Sequence, residues 1–457
     1  MSDFSLKERL ESMGVGLALH MIKDDPDKNL PKLMRRVEAL DRNDDLLAQR
    51  QVIWEILNDK DNHWNQYIKS MWTDLDDDVR NTFFANMIVN TLIIGNQRQM
   101  EAVEEYGCNI PLALLIDPTS ACNLNCTGCW AAEYGNQLNM TYEELDSIVS
   151  QGKKLGTFFY LFSGGEPLVR KKDIIRLCES HSDCMFVAFT NGTLIDEAFA
   201  DEMLRVKNFV PAISIEGFEA ETDARRGTGT YQQVCNAMEI LKERKLLFGA
   251  SCCYTSQNTE VIGSEEYIDD LIAKGCKFSW FFTYMPVGVG APTELIATAE
   301  QRAFMYRQIR AFRETKSLFT MDFWNDGEFV EGCIAGGRIY AHINPNGDIE
   351  PCAFIHYSDS NIREKTLLEA YRSPLFMEYK KGQPFNHNHL RPCPLLDNKG
   401  RLADMVHASG AHSTDLSCPE NVDELTAKCC DAADAWANVA DNIWVCEHDC
   451  MSCAKHA

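Results

Sequence analysis

The chain has 457 residues, of which 45% are hydrophobic and 25% charged, a composition typical of a globular protein with a large core and two or three domains. Its formal net charge of -24 disfavours contact with a phosphate backbone, so nucleic acid is excluded as a partner. No leader-like segment opens the chain, and its longest apolar run, residues 87–94, is far shorter than the ~20 residues that span a bilayer. We therefore expect a cytoplasmic protein without a transmembrane segment.

Residues 1–107 are predicted to form an N-terminal helical region. Within residues 73–95, an acidic first turn precedes an apolar stripe that includes Phe84, Met87, Ile88 and Leu92. Acidic side chains stabilise the N-terminal end of a helix dipole, and the stripe has helical spacing. We expect this helix to pack on the next domain; a lipid-facing or partner-facing helix is the alternative.

Residues 108–320 alternate short apolar runs with amphipathic helices. The clearest helix begins at Thr141, with Glu144 in capping-box spacing, and ends near Gly156. Strands buried on both faces, with helices between them, indicate an α/β fold: a parallel sheet curled into a partial TIM-like (β/α)6 barrel, with chemistry in the loops after the strands. The predicted strands are residues 112–116, 158–162, 185–189, 210–215, 248–254 and 278–283.

Residues 321–457 lose this regularity and are predicted to form a loop-rich, cysteine-rich C-terminal domain. The chain has 19 cysteines, nine of them after Thr320. A reducing compartment gives little lasting use for disulfides, and the count is odd, so metal or cluster ligation is the leading explanation. Seven other cysteines lack ligand spacing and are predicted to be small core residues: Cys108, Cys178, Cys184, Cys235, Cys252, Cys253 and Cys276.

A CxxxCxxC loop follows the first predicted strand and contains Cys122, Cys126 and Cys129, here called the loop cysteines. Three thiolates this close together can hold three corners of a 4Fe-4S cluster and leave the fourth iron without a protein thiolate. A zinc knuckle, which needs a fourth ligand nearby, and a chance group of buried cysteines are the structural alternatives. No histidine lies near this loop in the sequence.

With two further features, these cysteines make the chain resemble the radical S-adenosylmethionine (SAM) superfamily. Trp130 follows the third cysteine, as an aromatic residue usually does in that family, and Gly164, Gly165 and Glu166 end the second predicted strand. The resemblance implies a SAM-binding 4Fe-4S cluster on the loop cysteines and a GGE turn that holds the amino group of SAM. It also implies reductive cleavage of SAM to methionine and a 5'-deoxyadenosyl radical, which abstracts hydrogen from a substrate.

Polar residues near the ends of the later strands fit the same family pattern. The resemblance implies that they contact the ribose, methionine and carboxylate groups of SAM, with Arg225 or Arg226 paired to the carboxylate. Glu216 departs from the pattern, because related enzymes often have Asp there. Ordinary turn residues after strands are the alternative. The residues concerned are Thr190, Asn191, Ser214, Glu216, Arg226 and Ser251.

The C-terminal cysteines resemble a second family feature. Cys333, thirteen residues, Gly347, four residues and Cys352 resemble the opening of the SPASM or twitch extension, which carries auxiliary 4Fe-4S clusters. A hairpin turn at residues 344–348 would bring the two cysteines together, whereas the later spacing departs from the family. One or two auxiliary clusters, or one cluster and a zinc site, would draw on Cys333, Cys352, Cys393, Cys418, Cys429, Cys430, Cys446, Cys450 and Cys453.

The sequence leaves the substrate open. Family members with this extension often modify ribosomal peptides, so a peptide is the first prediction, and a lipid or another small metabolite is the second. An electron donor of the flavodoxin or ferredoxin type is expected in either case. Asp322, Trp324 and Asp326 lie between barrel and extension, where a proton acceptor or a product ligand would stand; a turn rich in Asp and Asn without a catalytic role is the alternative. A non-enzymatic electron-transfer or zinc-stabilised protein is the alternative of another class, but it leaves the GGE turn unexplained.

Overall fold

The computed structural model describes residues 26–40, 47–416 and 418–446, and a sheet of short, largely buried strands lies at its centre. The strands of this sheet are β1 (Ala113–Ile116), β2 (Phe159–Phe162), β3 (Met185–Thr190), β4 (Phe209–Ser214), β5 (Gly249–Tyr254), β6 (Phe278–Thr283), β7 (Phe319–Asp322), β8 (Tyr340–Ile343) and β9 (Ile349–Glu350). Two further strands, β10 (Tyr357–Ser358) and β11 (His412–Ser413), form a separate antiparallel pair.

The strand order in the large sheet is β7-β6-β5-β4-β3-β2-β1-β8-β9. The strands from β1 to β8 pair in parallel with their neighbours, and only the edge strand β9 is antiparallel, to β8. The predicted α/β class and all six predicted strands are confirmed, the strands to within one residue at each end. Because parallel strands end at one edge of a sheet, the loops after β1 to β6 share that edge.

Helices precede, connect and follow the strands. They are α1 (Pro26–Leu40), α2 (Leu47–Asn58), α3 (His63–Thr73), α4 (Asp77–Phe84), α5 (Asn96–Tyr106), α6 (Tyr142–Leu155), α7 (Lys171–Ser180), α8 (Glu197–Val206), α9 (Glu219–Arg226), α10 (Thr230–Glu243), α11 (Thr259–Ile262), α12 (Glu265–Lys274), α13 (Ala299–Thr315), α14 (Leu367–Tyr371), α15 (Pro374–Gly382), α16 (Arg401–Ser409) and α17 (Val422–Trp444). A π-helix, Ala85–Gly95, joins α4 to α5, and single 3-10 turns lie at Ala132–Tyr134, Pro167–Arg170, Thr293–Leu295 and Gly327–Val330.

Helix α6 shows how closely the local sequence specifies an element. Thr141 and Glu144 form the predicted capping box, with reciprocal hydrogen bonds of 3.1 and 2.7 Å. Leu145 and Ile148 are buried on one face, and the helix ends at Gly156, whose φ of +98° favours glycine. The predicted helix is confirmed.

The helix predicted within residues 73–95 is α4 and the π-helix, and it packs on the barrel as predicted. The predicted apolar stripe is wrong, because Ile88 and Leu92 are exposed: the wider π-helical turn changes which side chains share a face.

The side chain of Asn86 donates to the carbonyl of Cys184 at 2.8 Å, and that of Asn90 donates to the carbonyl of Asp183 at 2.9 Å. Gly95 lies so close to the end of α6 that a Cβ atom there would be 2.5 Å from a backbone oxygen. These contacts fix the π-helix against the end of α6 and against the segment between α7 and β3.

The expectation of a loop-rich C-terminal domain needs correction. Helices α14 to α17 occupy much of the chain after residue 366, and α17 alone has 23 residues. Strand β7 spans residue 320, and β8 pairs with β1 in the same sheet. One continuous hydrophobic core contains residues from the barrel and from these later helices. These helices and edge strands therefore share the packed core of the barrel.

No helix in the described ranges is both long enough and apolar enough to cross a membrane.

Candidate functional site

The loop cysteines lie directly after β1, at the edge where the parallel strands end. Cys122 is exposed, Cys126 and Cys129 are half-buried, and none forms a disulfide. The N–H of Leu124 points at the Cys122 sulfur from 3.5 Å. Burial raises the pKa of Cys122, and Glu166 and the other two thiols raise it further, because all of these groups lie close together.

The GGE turn after β2 lies against the segment that enters the cysteine loop. The N–H of Gly165 donates to the Thr119 carbonyl at 3.0 Å, and the N–H of Glu166 donates to the Ala121 carbonyl at 2.9 Å. A Cβ atom at Gly165 would lie 2.3 Å from the Ala121 oxygen, and Gly164 has a φ of +96°. Glycine is therefore required for the two loops to meet, a reason that the sequence pattern did not reveal.

The carboxylate of Glu166 joins the ends of β2 and β3. It is 1% exposed and accepts hydrogen bonds from the Thr190 hydroxyl at 2.6 Å, the Asn191 N–H at 2.7 Å and the Leu168 N–H at 2.9 Å. Burial raises the pKa of Glu166, although these donors oppose the rise. The Asn191 side chain also donates to Asn123 of the cysteine loop at 2.9 Å. The predicted residues Thr190 and Asn191 thus meet the GGE turn and the cysteine loop.

Glu216, just after β4, forms a buried ion pair with two arginines of α9. Arg225 Nη1 lies 2.8 Å from Glu216 Oε1, and Arg226 binds both carboxylate oxygens. Burial alone would raise the pKa of Glu216, but the charges of Arg226 and Arg225 outweigh burial and hold the pKa below its usual value. Nη1 of Arg226 also lies 3.8 Å from Cys126 Sγ. The arginine expected to pair with SAM is therefore held beside the loop cysteines by Glu216.

The side chains that alternate along β5 and β6 line an accessible interior face of the sheet. Ser251, Trp280 and Phe282 are half-buried, whereas the residues between them are buried. Ser251 is in register with Ser214 on β4, as expected for polar groups at neighbouring strand ends. Phe189 contacts Trp280 and Phe282 with ring centroids 5.1 and 5.6 Å apart. The interior face is therefore mainly aromatic.

Three C-terminal cysteines come together beside the end of the barrel. Cys333 precedes β8 and Cys352 follows β9, and the hairpin predicted at residues 344–348 joins these strands. Cys393 follows α15, and all three cysteines line one cavity with Phe323 and Trp324, which follow β7. We call Cys333, Cys352 and Cys393 the distal cysteines.

The surroundings of the distal cysteines suit thiolate ligands. The N–H of Leu396 lies 3.4 Å from one sulfur, and the N–H groups of Ala335 and Phe354 hydrogen-bond to the other two. Burial raises the pKa of Cys333 to about 11 and that of Cys352 to about 12, so both stay protonated until a metal displaces the proton. The three cysteines therefore combine thiols of raised pKa with backbone donors aimed at sulfur.

Tyr379 of α15 lies among the distal cysteines. Burial, followed by the neighbouring thiols of Cys352, Cys333 and Cys393, raises the pKa of its hydroxyl well above the usual value. Tyr379 also lines the same cavity. Nothing in the sequence pattern singled out this residue.

Neither group of cysteines forms a single-ion site. No three His, Cys, Asp or Glu side chains of the described residues converge closely enough to hold one metal ion. The thiolate ligands of a zinc ion all lie about 2.3 Å from one point, whereas the thiolates of a 4Fe-4S cluster bind separate irons.

The remaining predicted ligands are placed elsewhere. Cys418 and Cys446 are exposed, while Cys429 is buried and Cys430 half-buried on α17, and none of the four lines the cavity of the distal cysteines. Cys450 and Cys453 lie outside the described residues. The structure thus brings three of the nine predicted C-terminal ligands together.

A buried charged network behind the cysteine loop was not predicted. His342 of β8 lies between two carboxylates: its Nδ1 is 2.6 Å from Glu350 and its Nε2 is 3.0 Å from Asp117. Burial alone would lower the pKa of His342, but Asp117 and Glu350 outweigh burial and raise the pKa to about 10. Ser163, just before the GGE turn, donates to Asp117 at 2.6 Å. In the sequence, this network is indicated only by a histidine inside an apolar run and by an Asp directly after β1.

Asp322, the predicted proton acceptor, is fully buried at the end of β7. Burial and the nearby charge of Asp326 raise the pKa of Asp322 to about 6. Asn325 donates to its carboxylate at 2.8 Å, and Trp324 lines the neighbouring cavity. The role of Asp322 in proton transfer stays a prediction.

Known proteins share this arrangement of motif and fold. Residues 116–255 match the sequence model of the Radical SAM superfamily. The AdoMet-dependent heme synthase of Methanosarcina barkeri is 23% identical over 295 residues, which cover 58% of this chain and 83% of that protein. Mycofactocin maturase MftC of Mycolicibacterium smegmatis is 26% identical over 269 residues, which cover 55% of this chain and 66% of that protein.

Among solved structures, Streptococcus suis SuiB bound to S-adenosylmethionine has a similar fold, with a TM-score of 0.53 at 20% identity over 64% of this chain and 73% of that chain. A parallel sheet with a CxxxCxxC loop after its first strand and a GGE turn after its second defines a radical SAM enzyme. Residues 116–255 are therefore a radical SAM domain. The membership expected from the motifs is confirmed, and the non-enzymatic alternative is set aside.

Proposed function

We propose that this enzyme holds a 4Fe-4S cluster on Cys122, Cys126 and Cys129, cleaves SAM there and abstracts hydrogen from a peptide substrate. The observation that carries the proposal is the contact between two loops, because the GGE turn is hydrogen-bonded to the segment that enters the cysteine loop. Three thiolates leave one iron of such a cluster without a protein ligand, and the GGE turn lies beside that loop. An electron donor of the flavodoxin or ferredoxin type would reduce the cluster.

The chain's own residues would bind and orient SAM. When bound, the cluster supplies the electron that breaks a carbon–sulfur bond of SAM to give methionine and a 5'-deoxyadenosyl radical. Glu166 is fixed by donors from Thr190 and Asn191, and Arg226 places positive charge next to Cys126. Both arrangements are held by contacts within the protein itself, so little reorganisation would accompany SAM binding.

Tyr284 helps to close the cysteine loop against water. A Cβ atom at Gly128, within the loop, would lie 2.6 Å from the Tyr284 ring. Tyr284 is itself buried, so its ring covers the loop from the end of β6. Exclusion of water protects a radical from unwanted hydrogen donors.

The aromatic interior face favours an apolar reacting group, such as the side chain of a peptide residue. Phe189, Trp280 and Phe282 offer ring surfaces and few polar groups at this face. The SPASM-like opening from Cys333 to Cys352 resembles that of enzymes that modify ribosomal peptides, and MftC is named as a maturase. These features support a peptide that presents an aromatic or aliphatic side chain.

The distal cysteines would hold one auxiliary 4Fe-4S cluster. Their shared cavity and the backbone donors at their sulfurs support this assignment. Among the described residues that line the cavity there is no fourth cysteine. One iron of this cluster would therefore take a ligand from beyond these residues, or the substrate.

A test measures 5'-deoxyadenosine and methionine after anaerobic reconstitution with iron and sulfide and addition of dithionite and SAM. The full chain should release both products, and the combined variant Cys122→Ala, Cys126→Ala and Cys129→Ala should release neither. Cys235→Ala, at a half-buried cysteine of α10, is the matched control and should retain the rate. Equal rates in the triple variant and the full chain would overturn the proposal.

A second candidate substrate is a lipid or another small apolar metabolite. The aromatic interior face also suits such a molecule, and one relative is a heme synthase. Candidate peptides and lipids, deuterated at the reacting carbon, distinguish the two classes. The true substrate should raise the rate of SAM cleavage and transfer deuterium to 5'-deoxyadenosine, whereas the other class should do neither.

A further inference from the structure

Two tyrosines of the C-terminal region lie beside the distal cysteines. Tyr340 begins β8 and is 6% exposed, and Tyr379 lies on α15 and is fully buried. Both lie within residues 321–457, where the sequence pattern pointed only to the cysteines. Tyr340 is hydrogen-bonded to one of these cysteines, and Tyr379 lines the cavity that all three share.

The hydroxyl of Tyr340 is hydrogen-bonded to a distal cysteine. Its oxygen lies 2.6 Å from Cys352 Sγ. Strand β8 pairs with β1 on one side and β9 on the other, so the Tyr340 backbone is fixed by the sheet. Phe323 covers the ring edge-on, with centroids 5.6 Å apart. The O–H···S contact is therefore built into the rigid part of the fold.

The hydroxyl of Tyr379 has no hydrogen-bond partner among the described residues. A phenylalanine would fill the same volume without leaving a buried hydroxyl unpaired, so a hydrogen-bond partner would remove a cost that the hydroxyl carries. The sulfurs of the distal cysteines are side-chain acceptors within the same cavity. When these cysteines hold a bound group, their sulfurs are therefore available to accept from Tyr379.

The ring of Tyr379 is held in one orientation. A Cβ atom at Gly336, whose φ is +63°, would lie 2.5 Å from the Tyr379 Cβ, so the Gly336 backbone packs closely against the Tyr379 side chain. Phe385 packs edge-on against the ring, with centroids 5.5 Å apart. Tyr379 cannot turn its hydroxyl to solvent without breaking these contacts.

We propose that Tyr340 and Tyr379 donate hydrogen bonds to sulfur atoms of the auxiliary cluster and thereby raise its reduction potential. This inference rests on the proposed auxiliary cluster at the distal cysteines. Reduction adds negative charge to a cluster, and a hydrogen bond to its sulfurs stabilises the reduced state more than the oxidised state. The two tyrosines are positioning residues and do not touch the reacting carbon.

The experiment uses the full-length chain with Cys122→Ala, Cys126→Ala and Cys129→Ala, so that only the auxiliary cluster is reconstituted. Its midpoint potential is measured by redox titration followed by electron paramagnetic resonance. Tyr340→Phe and Tyr379→Phe, added singly, should each lower the potential, by about tenfold in the reduction equilibrium or ~59 mV for one electron. Iron and sulfide per chain should stay unchanged.

Two tyrosines serve as matched controls. Tyr357→Phe removes a buried hydroxyl that donates to the Glu420 carbonyl at 2.8 Å, and Tyr371→Phe removes a buried hydroxyl that, like that of Tyr379, has no partner among the described residues. Neither residue lines the cavity of the distal cysteines. Both controls should keep the parent potential.

The outcomes separate this inference from the assignment on which it rests. A parent triple variant without any iron-sulfur signal would contradict the auxiliary cluster itself. A cluster whose potential is the same in Tyr340→Phe, Tyr379→Phe and the controls would overturn the role of the tyrosines. Loss of iron from both tyrosine variants would also overturn it, because the hydroxyls would then be needed for assembly and not for tuning.

Discussion

Gly165 and Ala121 are in direct contact: a Cβ atom at Gly165 would lie 2.3 Å from the Ala121 carbonyl oxygen. The Ala121 oxygen also accepts the N–H of Glu166 at 2.9 Å. The turn after β2 and the cysteine loop after β1 therefore form one unit, and a change in either displaces the other. The contact links the two motifs that define the enzyme class.

Replacement of this glycine is expected to move the cysteine loop. In Gly165→Ala the new methyl group pushes the segment before Cys122 away, and a displacement of about 1 Å is able to lower a rate by ~100-fold. SAM cleavage, measured as 5'-deoxyadenosine formed per minute, should fall to that extent. Gly290→Ala is the matched control, because a Cβ atom there meets nothing within 4 Å. Equal rates in the two variants would contradict the contact.

The ion pair of Glu216 is expected to stabilise the loop after β4. Glu216→Gln leaves Arg225 and Arg226 without their carboxylate, and loss of one partner of a buried pair costs about 3–5 kcal/mol. The free energy of unfolding of the apoprotein in urea should fall by that amount. Glu202→Gln, which removes an exposed partner of Arg205, should have no measurable effect. A similar stability for both variants would show that the buried pair contributes little.

The free energy of unfolding is expected to fall as the pH rises, because His342 loses its proton. Its pKa is about 10 in the fold and about 6.5 in the unfolded chain, so its contribution is complete below pH 6.5 and is lost as the pH rises to about 10. Over this range the unfolding free energy of the apoprotein should lose up to about 1.4 kcal/mol per pH unit more than that of His342→Asn. Parallel pH curves for the two proteins would contradict a protonated His342 between Asp117 and Glu350.

Removal of the distal cysteines is expected to remove one cluster. The combined variant Cys333→Ala, Cys352→Ala and Cys393→Ala should hold about four fewer irons per chain than the reconstituted full chain. Cys418→Ala, at an exposed cysteine, should keep the full iron content. Iron and sulfide analysis checks both, and an unchanged content in the triple variant would place the auxiliary ligands elsewhere.

The barrel could be predicted from the sequence because its signals are local. Each of the first six strands is a short apolar run between a helix and a polar turn, and the motifs follow β1 and β2 directly. Strand β8 was missed, because His342 makes its run look polar. In the fold that histidine is paired with Glu350 of the adjoining strand β9 and with Asp117, which is far away in the chain, and no local pattern encodes the second contact.

Helix α17 was missed for a different reason. Its buried stripe is built from Leu425, Cys429, Ala433, Trp436 and Ala440, which have helical spacing but include two small residues and a cysteine. Cys429 was predicted to be a cluster ligand, whereas its side chain is buried in the core. Local spacing predicted only the pair of Cys333 and Cys352, which a hairpin joins. The approach of Cys393 to this pair depends on how α15 packs, which local spacing does not encode.

The central claim is that the loop cysteines leave one iron open to SAM. The most direct test is electron paramagnetic resonance of the reduced cluster in the variant Cys333→Ala, Cys352→Ala and Cys393→Ala, before and after addition of SAM labelled with nitrogen-15 at the amino group. The account predicts a shifted spectrum and a hyperfine coupling to the labelled nitrogen. An unchanged spectrum without coupling would show that SAM does not bind this cluster, and would contradict the account.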